Sequence, residues 1–234
     1  MIPRQLEPEI MDTREDAVDY DSMDHGEVNR VFAEDVLELL TEYQEAFIGS
    51  AKQRHVTILD LGTGTALIPI EVCQRNNRIR IVATDLASEM LKLAKVNLQQ
   101  GGLEHAISLE RADAKNLSHS DEVFDGVISN SLIHHIPEPQ SVFREIIRVL
   151  KAGGFVFIRD LLRPDSQAEL EYLVELYAAQ ANAHQRQLFR DSLHAALSFN
   201  EVQALLEVNG LPTEAVQITS DRHWTISWRR PGTL

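Results

Sequence analysis

A chain of 234 residues, 44% hydrophobic and 25% charged, has room for one large α/β domain and the composition of a folded globular protein. Its formal net charge of −14 argues against a nucleic-acid backbone or an anionic membrane as the main partner, because both demand a basic face. No apolar run approaches the roughly 18 residues of a membrane span, the opening MIPRQLEPEI lacks the marks of a secretory signal, and the single cysteine, Cys73, excludes an internal disulfide, so a cytoplasmic location is expected.

The charge is unevenly spread. Residues 1–50 hold 14 acids against Arg4, Arg14 and Arg30, a net of −11, which leaves −3 for the rest. Residues 1–26 have few large apolar side chains and no period, which predicts a partly irregular, solvated arm. A helix is expected from Glu27, with Val31, Val36, Leu39, Leu40, Tyr43 and Phe47 at three- and four-residue steps and Gly49–Ser50 as its stop.

From there the chain alternates. Strands are expected at Val56–Leu61, Arg80–Thr84, Ile107–Glu110, Val123–Ser129 and Phe155–Arg159. Helices are expected at Leu67–Arg75, Ser88–Gln100 and about Gln140–Leu150, with Lys151–Gly154 turning the chain. Such alternation means βαβ units and a parallel sheet with helices on both faces. Gln167–Ala183 reads as a helix, and Ser198-Phe-Asn-Glu201 as a capping box opening another that ends at Asn209–Gly210. Ala215–Thr219 and His223–Trp228 read as closing strands.

The strongest motif is Val56-Thr-Ile-Leu-Asp60-Leu-Gly62-Thr-Gly64-Thr-Ala66, a buried strand running into a Gly-x-Gly turn. Such a turn lets a ligand approach the backbone at the carboxyl edge of a sheet. A dinucleotide site would place a third glycine at Leu67. The carboxylate of Asp60 would repel a diphosphate and attract an ammonium or sulfonium group. Asp85, 25 residues on at the end of the second strand, can accept both hydroxyls of a ribose. Asp113, past the third strand, is placed to accept from the exocyclic amine of adenine.

Over Val56–Asp160 the sequence resembles the class I, Rossmann-like S-adenosylmethionine-dependent methyltransferases. Phe124-Asp-Gly-Val-Ile-Ser-Asn130-Ser-Leu and Val149-Leu-Lys-Ala-Gly153-Gly154 look like that family's later motifs, while Ala66 stands where the family has a third glycine. The resemblance implies a three-layer sandwich around a seven-stranded, mostly parallel sheet whose last two strands form an antiparallel hairpin. It implies S-adenosyl-L-methionine as cofactor and S-adenosyl-L-homocysteine as product. The turn of Asp60, Leu61, Gly62, Thr63 and Gly64 would hold the methionine end, Asp85 the ribose, and Asp113 and Ala114 the adenine. Leu86 and Met90 are counted with them. Asn130 would touch the cofactor or fix its loop. The whole chain looks like bacterial methyltransferases of unassigned substrate.

On the acceptor side, His134 and His135 follow the fourth strand and are candidates for a general base or for acceptor binding. The alternative is that both merely cap the turn before Pro137 and Pro139. No metal is expected, since two adjacent histidines do not easily share an ion. Arg163 suits a carboxylate or phosphate on a substrate, or an ion pair with Asp160. Residues Gln185–Leu197, with Arg190 as a substrate-binding candidate, read as a stretch between helices that covers the cleft. Tyr20 would stack on or hydrogen-bond the methionine moiety. The expected division is an arm and helix over residues 1–50 as a lid, and a methyltransferase domain over 51–234 with a helical cover at 164–212. The expected acceptor is a small molecule, with no nucleic acid, no membrane and a homodimer allowed. The alternative is a non-catalytic cofactor-binding sensor or partner subunit.

Overall fold

The computed structural model describes residues 2–8, 12–22, 26–43 and 55–232. Among them, seven strands form one sheet in the order β3-β2-β1-β4-β5-β7-β6. The strands are β1 (Val56–Leu61), β2 (Ile79–Asp85), β3 (Ile107–Arg111), β4 (Phe124–Asn130), β5 (Leu150–Leu161), β6 (Val216–Ile218) and β7 (His223–Arg229). β1 to β5 run parallel, whereas β7 pairs antiparallel with both β5 and β6. This is the Rossmann-like sandwich expected, with the terminal hairpin at the sheet edge.

The two faces are filled by alternating strand residues. Val56, Ile58, Ile81, Phe155 and Phe157 point to one core, which α2 (Gly26–Tyr43), α3 (Leu67–Arg75) and α4 (Ser88–Gly101) cover. Leu59, Leu61, Val127, Val156 and Ile158 point to the other, covered by α5 (Gln140–Val149) and α8 (Phe199–Val208). Strand order reverses between β1 and β4, so the carboxyl ends of β1, β2 and β4 open into a crevice.

Three elements differ from expectation. First, α2 belongs to the body. Phe32, Val36 and Leu40 are fully buried against the sheet, each contributing about 1.5–3 kcal/mol. Phe32 meets Phe157 edge-on at 5.0 Å, and Asp35 pairs with Arg159 at 2.6 Å. The segment able to cover the cleft is therefore the arm with α1 (Arg14–Ser22), and the expected helix stop at Gly49–Ser50 lies outside the described residues. Second, β5 extends back through the Lys151–Gly154 turn. Phe124 pairs with Leu150 but Gly126 pairs with Phe155, so the extra residues bulge out of the ladder.

Third, residues 183–195 are themselves a helix, α7 (Ala183–Ala195). Asn182 and Gln185 form a reciprocal capping box at its start. It packs on α6 (Gln167–Ala178), burying Leu170, Leu173, Val174 and Leu193 in a small core with Leu161. α6 is shorter than expected, ending at Ala178.

Candidate active site

The Gly-rich turn follows from three left-handed residues. Gly62, Gly64 and Ala66 have φ of +69°, +57° and +63°. At Gly62 a β-carbon would stand 2.8 Å from Leu132 Cδ1, so glycine is required there by space as well as by conformation. The turn is tied to β2: the Thr63 amide donates to the Thr84 carbonyl at 2.9 Å, and the Gly64 amide to Asp85 Oδ2 at 2.8 Å.

Two buried aspartates show what this end of the sheet is for. Asp125, at the far edge, is 1% exposed. It accepts from the Tyr43 hydroxyl, the Thr57 amide and the Lys151 ammonium at 2.9–3.0 Å. Asp60 is 3% exposed, yet its Oδ2 has no partner. Burial pushes the Asp60 carboxyl up to about 7, the Thr63 hydroxyl counteracts in part, and the charge of Asp85 adds to the rise. A buried carboxylate oxygen left unpaired costs free energy that structural roles do not repay. The recess it faces, shared with Asn29, Thr63, Thr65 and Asn130, is where a cationic group would satisfy it.

The adjoining cleft spans about 800 Å³, part of it open to solvent. Of the residues expected to hold cofactor, Tyr20, Gly62, Gly64, Asp85, Leu86, Met90, Asp113, Ala114 and Asn130 line it. Asp60 and Thr63 line the recess. Asp85 accepts the Gly64 and Ala87 amides, one on each oxygen. Each oxygen keeps a second lone pair for a hydroxyl. Burial raises the Asp85 carboxyl above its ordinary range despite these bonds. Tyr20 lies over Gly64, where an added β-carbon would meet its ring at 3.5 Å. Burial first, and then the charges of Asp85, Asp60 and Asp21, push its phenol up to about 12. α1 carries it there by packing Ala17 on Ala87 and Met90, while Asp21 accepts from Asn97 at 3.0 Å.

Four expected site residues lie elsewhere. Leu61 points into the core and is fully buried. Its neighbour Asp60 faces the recess because adjacent strand residues alternate. His134 is 3% exposed and turned into Asp160, with Nδ1 2.5 Å from Oδ1. Burial opposes a charged imidazole there, but the charge and hydrogen bond of Asp160, with Glu7 behind, raise its affinity for a proton. Arg163 is buried and paired with Glu201 at 2.8 Å. Arg190 is on α7 and pairs with Glu171 of α6 at 2.8 Å. Only His135 of the acceptor-side candidates lines the cleft.

Other lining residues escaped the sequence reading: Thr65, Leu132, Lys115 and Ile136, and Asn29 except as the start of a helix expected near the cofactor. Leu132 and Ile136 flank the quoted histidines, so position was available as a signal. Asn29 reaches the recess only through the packing of α2. The expectation of no metal weighed the two adjacent histidines and the lack of a Cys or His three or four residues away. The fold adds a third donor, Glu7, whose Oε1 lies 3.4 Å from His134 Nε2 and 3.0 Å from His135 Nδ1.

Residues 59–158 match the family described as methyltransferase domain. Over these residues the chain is similar to a methyltransferase domain, on the class I fold described above. It is 35% identical over 102 residues to a phosphatidylethanolamine N-methyltransferase of Cereibacter sphaeroides, covering 43% of this chain and 48% of that one. It is 31% identical over 108 residues to a demethylmenaquinone methyltransferase of Bacteroides fragilis, covering 46% and 44%. The chain thus spans about half the length of these curated relatives. A crystal structure of a candidate S-adenosyl-L-methionine-dependent methyltransferase from Methanococcus maripaludis superposes with a TM-score of 0.70 at 19% identity, over 98% of this chain and 99% of that one. That likeness shows a shared fold over almost the whole of both chains.

Proposed function

We propose that this methyltransferase domain uses S-adenosyl-L-methionine to methylate a small-molecule acceptor. The observation that carries the reading is the unpartnered Oδ2 of buried Asp60 at the recess. A negative oxygen held there, beside Asp85, matches a ligand that brings its own positive charge. In this reading Asp60, with Asn29 and Thr65, holds the ammonium end. Asp85 accepts the ribose hydroxyls on its free lone pairs, and Asp113 with Ala114 faces the adenine. Tyr20 closes the cleft from the arm and excludes water.

When bound, the sulfonium supplies an electrophilic methyl. The protein then has to place the acceptor in line, which is worth roughly 7–11 kcal/mol of barrier. His135, with Leu132 and Ile136, is the wall against which the acceptor would lie. The relatives' names fit a non-polymeric acceptor, and the net charge of −14 fits the absence of a nucleic-acid partner. A cytoplasmic location and a homodimer belong to the same proposal; no helix among the described residues is long and apolar enough to cross a membrane.

Calorimetric titration with S-adenosyl-L-homocysteine and with NAD tests the cofactor. Tight binding of the first alone is expected, and binding of NAD instead would overturn the reading. Incubation with labelled cofactor and a metabolite extract should then move label into a compound of low mass. Label found only in protein or RNA would overturn the acceptor class.

A further inference from the structure

The arm does more than cross the surface. Arg4 donates to the carbonyls of Ala195, His134, Ile136 and Pro137 at 2.7–3.2 Å, and the Gln5 amide donates to the carbonyl of His194 at 3.0 Å. These bonds seat residues 2–8 between the end of α7 and the short 3-10 turn Ile133–His135. They deliver Glu7 into contact with both histidines of that turn.

We propose that Glu7, His134 and His135 form a binding site for one divalent transition-metal ion of the zinc type, which pins the arm to the acceptor-side wall of the cleft. One ligand atom from each lies within 4.8 Å of the other two, and no other such cluster occurs among the described residues. The Glu7 oxygen is 3.4 Å and 3.0 Å from the two imidazole nitrogens. Donor atoms around a tetrahedral zinc ion, bound at about 2.0–2.2 Å, stand about 3.3 Å apart.

Glu7 is the one group that His135 Nδ1 approaches among the described polar contacts, and the same Glu7 oxygen faces His134 Nε2. Three donors converging on one point is what ligands to a common ion show. The surroundings fit as well. Asp160 takes the Nδ1 side of His134 at 2.5 Å and is itself held by the Ile133 and Leu161 amides. This leaves Nε2 as the coordinating atom, in the carboxylate–histidine–metal arrangement that orients such ligands. Ser192 of α7 donates to both Glu7 oxygens at 3.2–3.3 Å. The three side chains are 3%, 8% and 16% exposed, which separates this set from a surface cluster. Two imidazoles and one carboxylate select borderline ions over magnesium or calcium. Three protein ligands leave a fourth position open, and His135 borders the cleft.

The competing arrangement is an ion-free one, with protonated His134 held between Asp160 and Glu7. Tag-free protein, stripped with chelator and dialysed, distinguishes them by titration with Zn²⁺ against a chromogenic indicator, followed by elemental analysis. One ion per chain is expected. Co²⁺ in its place should give visible absorption bands of an ion with nitrogen and oxygen ligands. Glu7→Gln and His135→Gln, both close enough in size to keep the fold, should each weaken binding at least 100-fold, while His105→Gln in the exposed turn after α4 changes nothing. Zinc should raise the melting temperature of the wild type and of His105→Gln, but not of the other two. Far-UV circular dichroism and a cooperative metal-free melting transition check that every variant is folded. No stoichiometric uptake by the wild type, or uptake equal in Glu7→Gln and His135→Gln, overturns the proposal and leaves the ion-free triad.

Discussion

The two halves of the cleft are built by different means. The cofactor half is made of strand ends. Asp60, Asp85 and Asn130 sit where β1, β2 and β4 stop, and their spacing is set by the parallel ladder. The proposed acceptor half is assembled from segments far apart in sequence: Leu132, His135 and Ile136 around the 3-10 turn, with Glu7 of the arm and Ser192 of α7 behind them. A half fixed by backbone pairing tolerates little change in position. A half fixed by side-chain bonds to a docked arm can be rebuilt for another acceptor without disturbing the sheet. In the proposed reading, the difference teaches that reaction class and substrate choice rest on different kinds of interaction.

The comparison breaks most decisively at Asp160, which joins the halves by holding His134 and two amides. Asp160→Ala should cost about 3–5 kcal/mol of stability, because it strands a buried partner; urea denaturation measures it. Gly62→Ala should cost about 2–4 kcal/mol, combining left-handed strain with the clash against Leu132, and should also remove cofactor binding by calorimetry. A stable Gly62→Ala would show that the turn is less constrained than its contacts imply. Asp85→Ala removes an acceptor for two amides and for the ribose. A rise in cofactor Kd of about 30- to 100-fold is expected, equal to roughly 2–3 kcal/mol.

The Asp60 carboxyl supplies a pH test. Its folded-state value of about 7 lies above the ordinary value near 3.8. A cationic ligand needs the carboxylate, so cofactor affinity should fall toward tenfold per unit as pH drops below about 7. The unliganded protein should respond in the opposite sense. Folding raises this group's affinity for its proton, so its contribution to stability is fully present below about 4 and is lost as pH rises through about 7. Asp60→Asn should flatten both profiles, read by calorimetry and thermal melting across pH. The smallest effect is expected at Arg190, whose bridge to Glu171 is exposed. Arg190→Ala should cost less than about 1 kcal/mol and leave cofactor affinity unchanged. A large loss of acceptor turnover there would move the acceptor half toward α7.

How much was legible divides along the same line. The Gly-x-Gly turn and the three aspartates were readable because each lies within a few residues of the carboxyl end of its own strand. The helix at 183–195 was missed because its apolar pattern is thin, with only Leu193 and Ala195 buried. The signal available was the Asn182–Gln185 capping box. Arg163 and His134 looked functional because they lie at the right sheet edge. Their direction depends on Glu201 and Asp160, partners 38 and 26 residues away.

From the residues alone, local chemistry settled the strand ends, the left-handed turn and the acid at the end of each of β1 and β2, since backbone conformation and period act over neighbours. Whether α2 is lid or core, which histidine faces the cleft, and that Glu7 reaches both of them were decided only by tertiary structure. Those facts rest on contacts across 26 to more than 120 residues, such as His134–Asp160 and Arg159–Asp35, and no local pattern specifies which distant partner a buried charge will take.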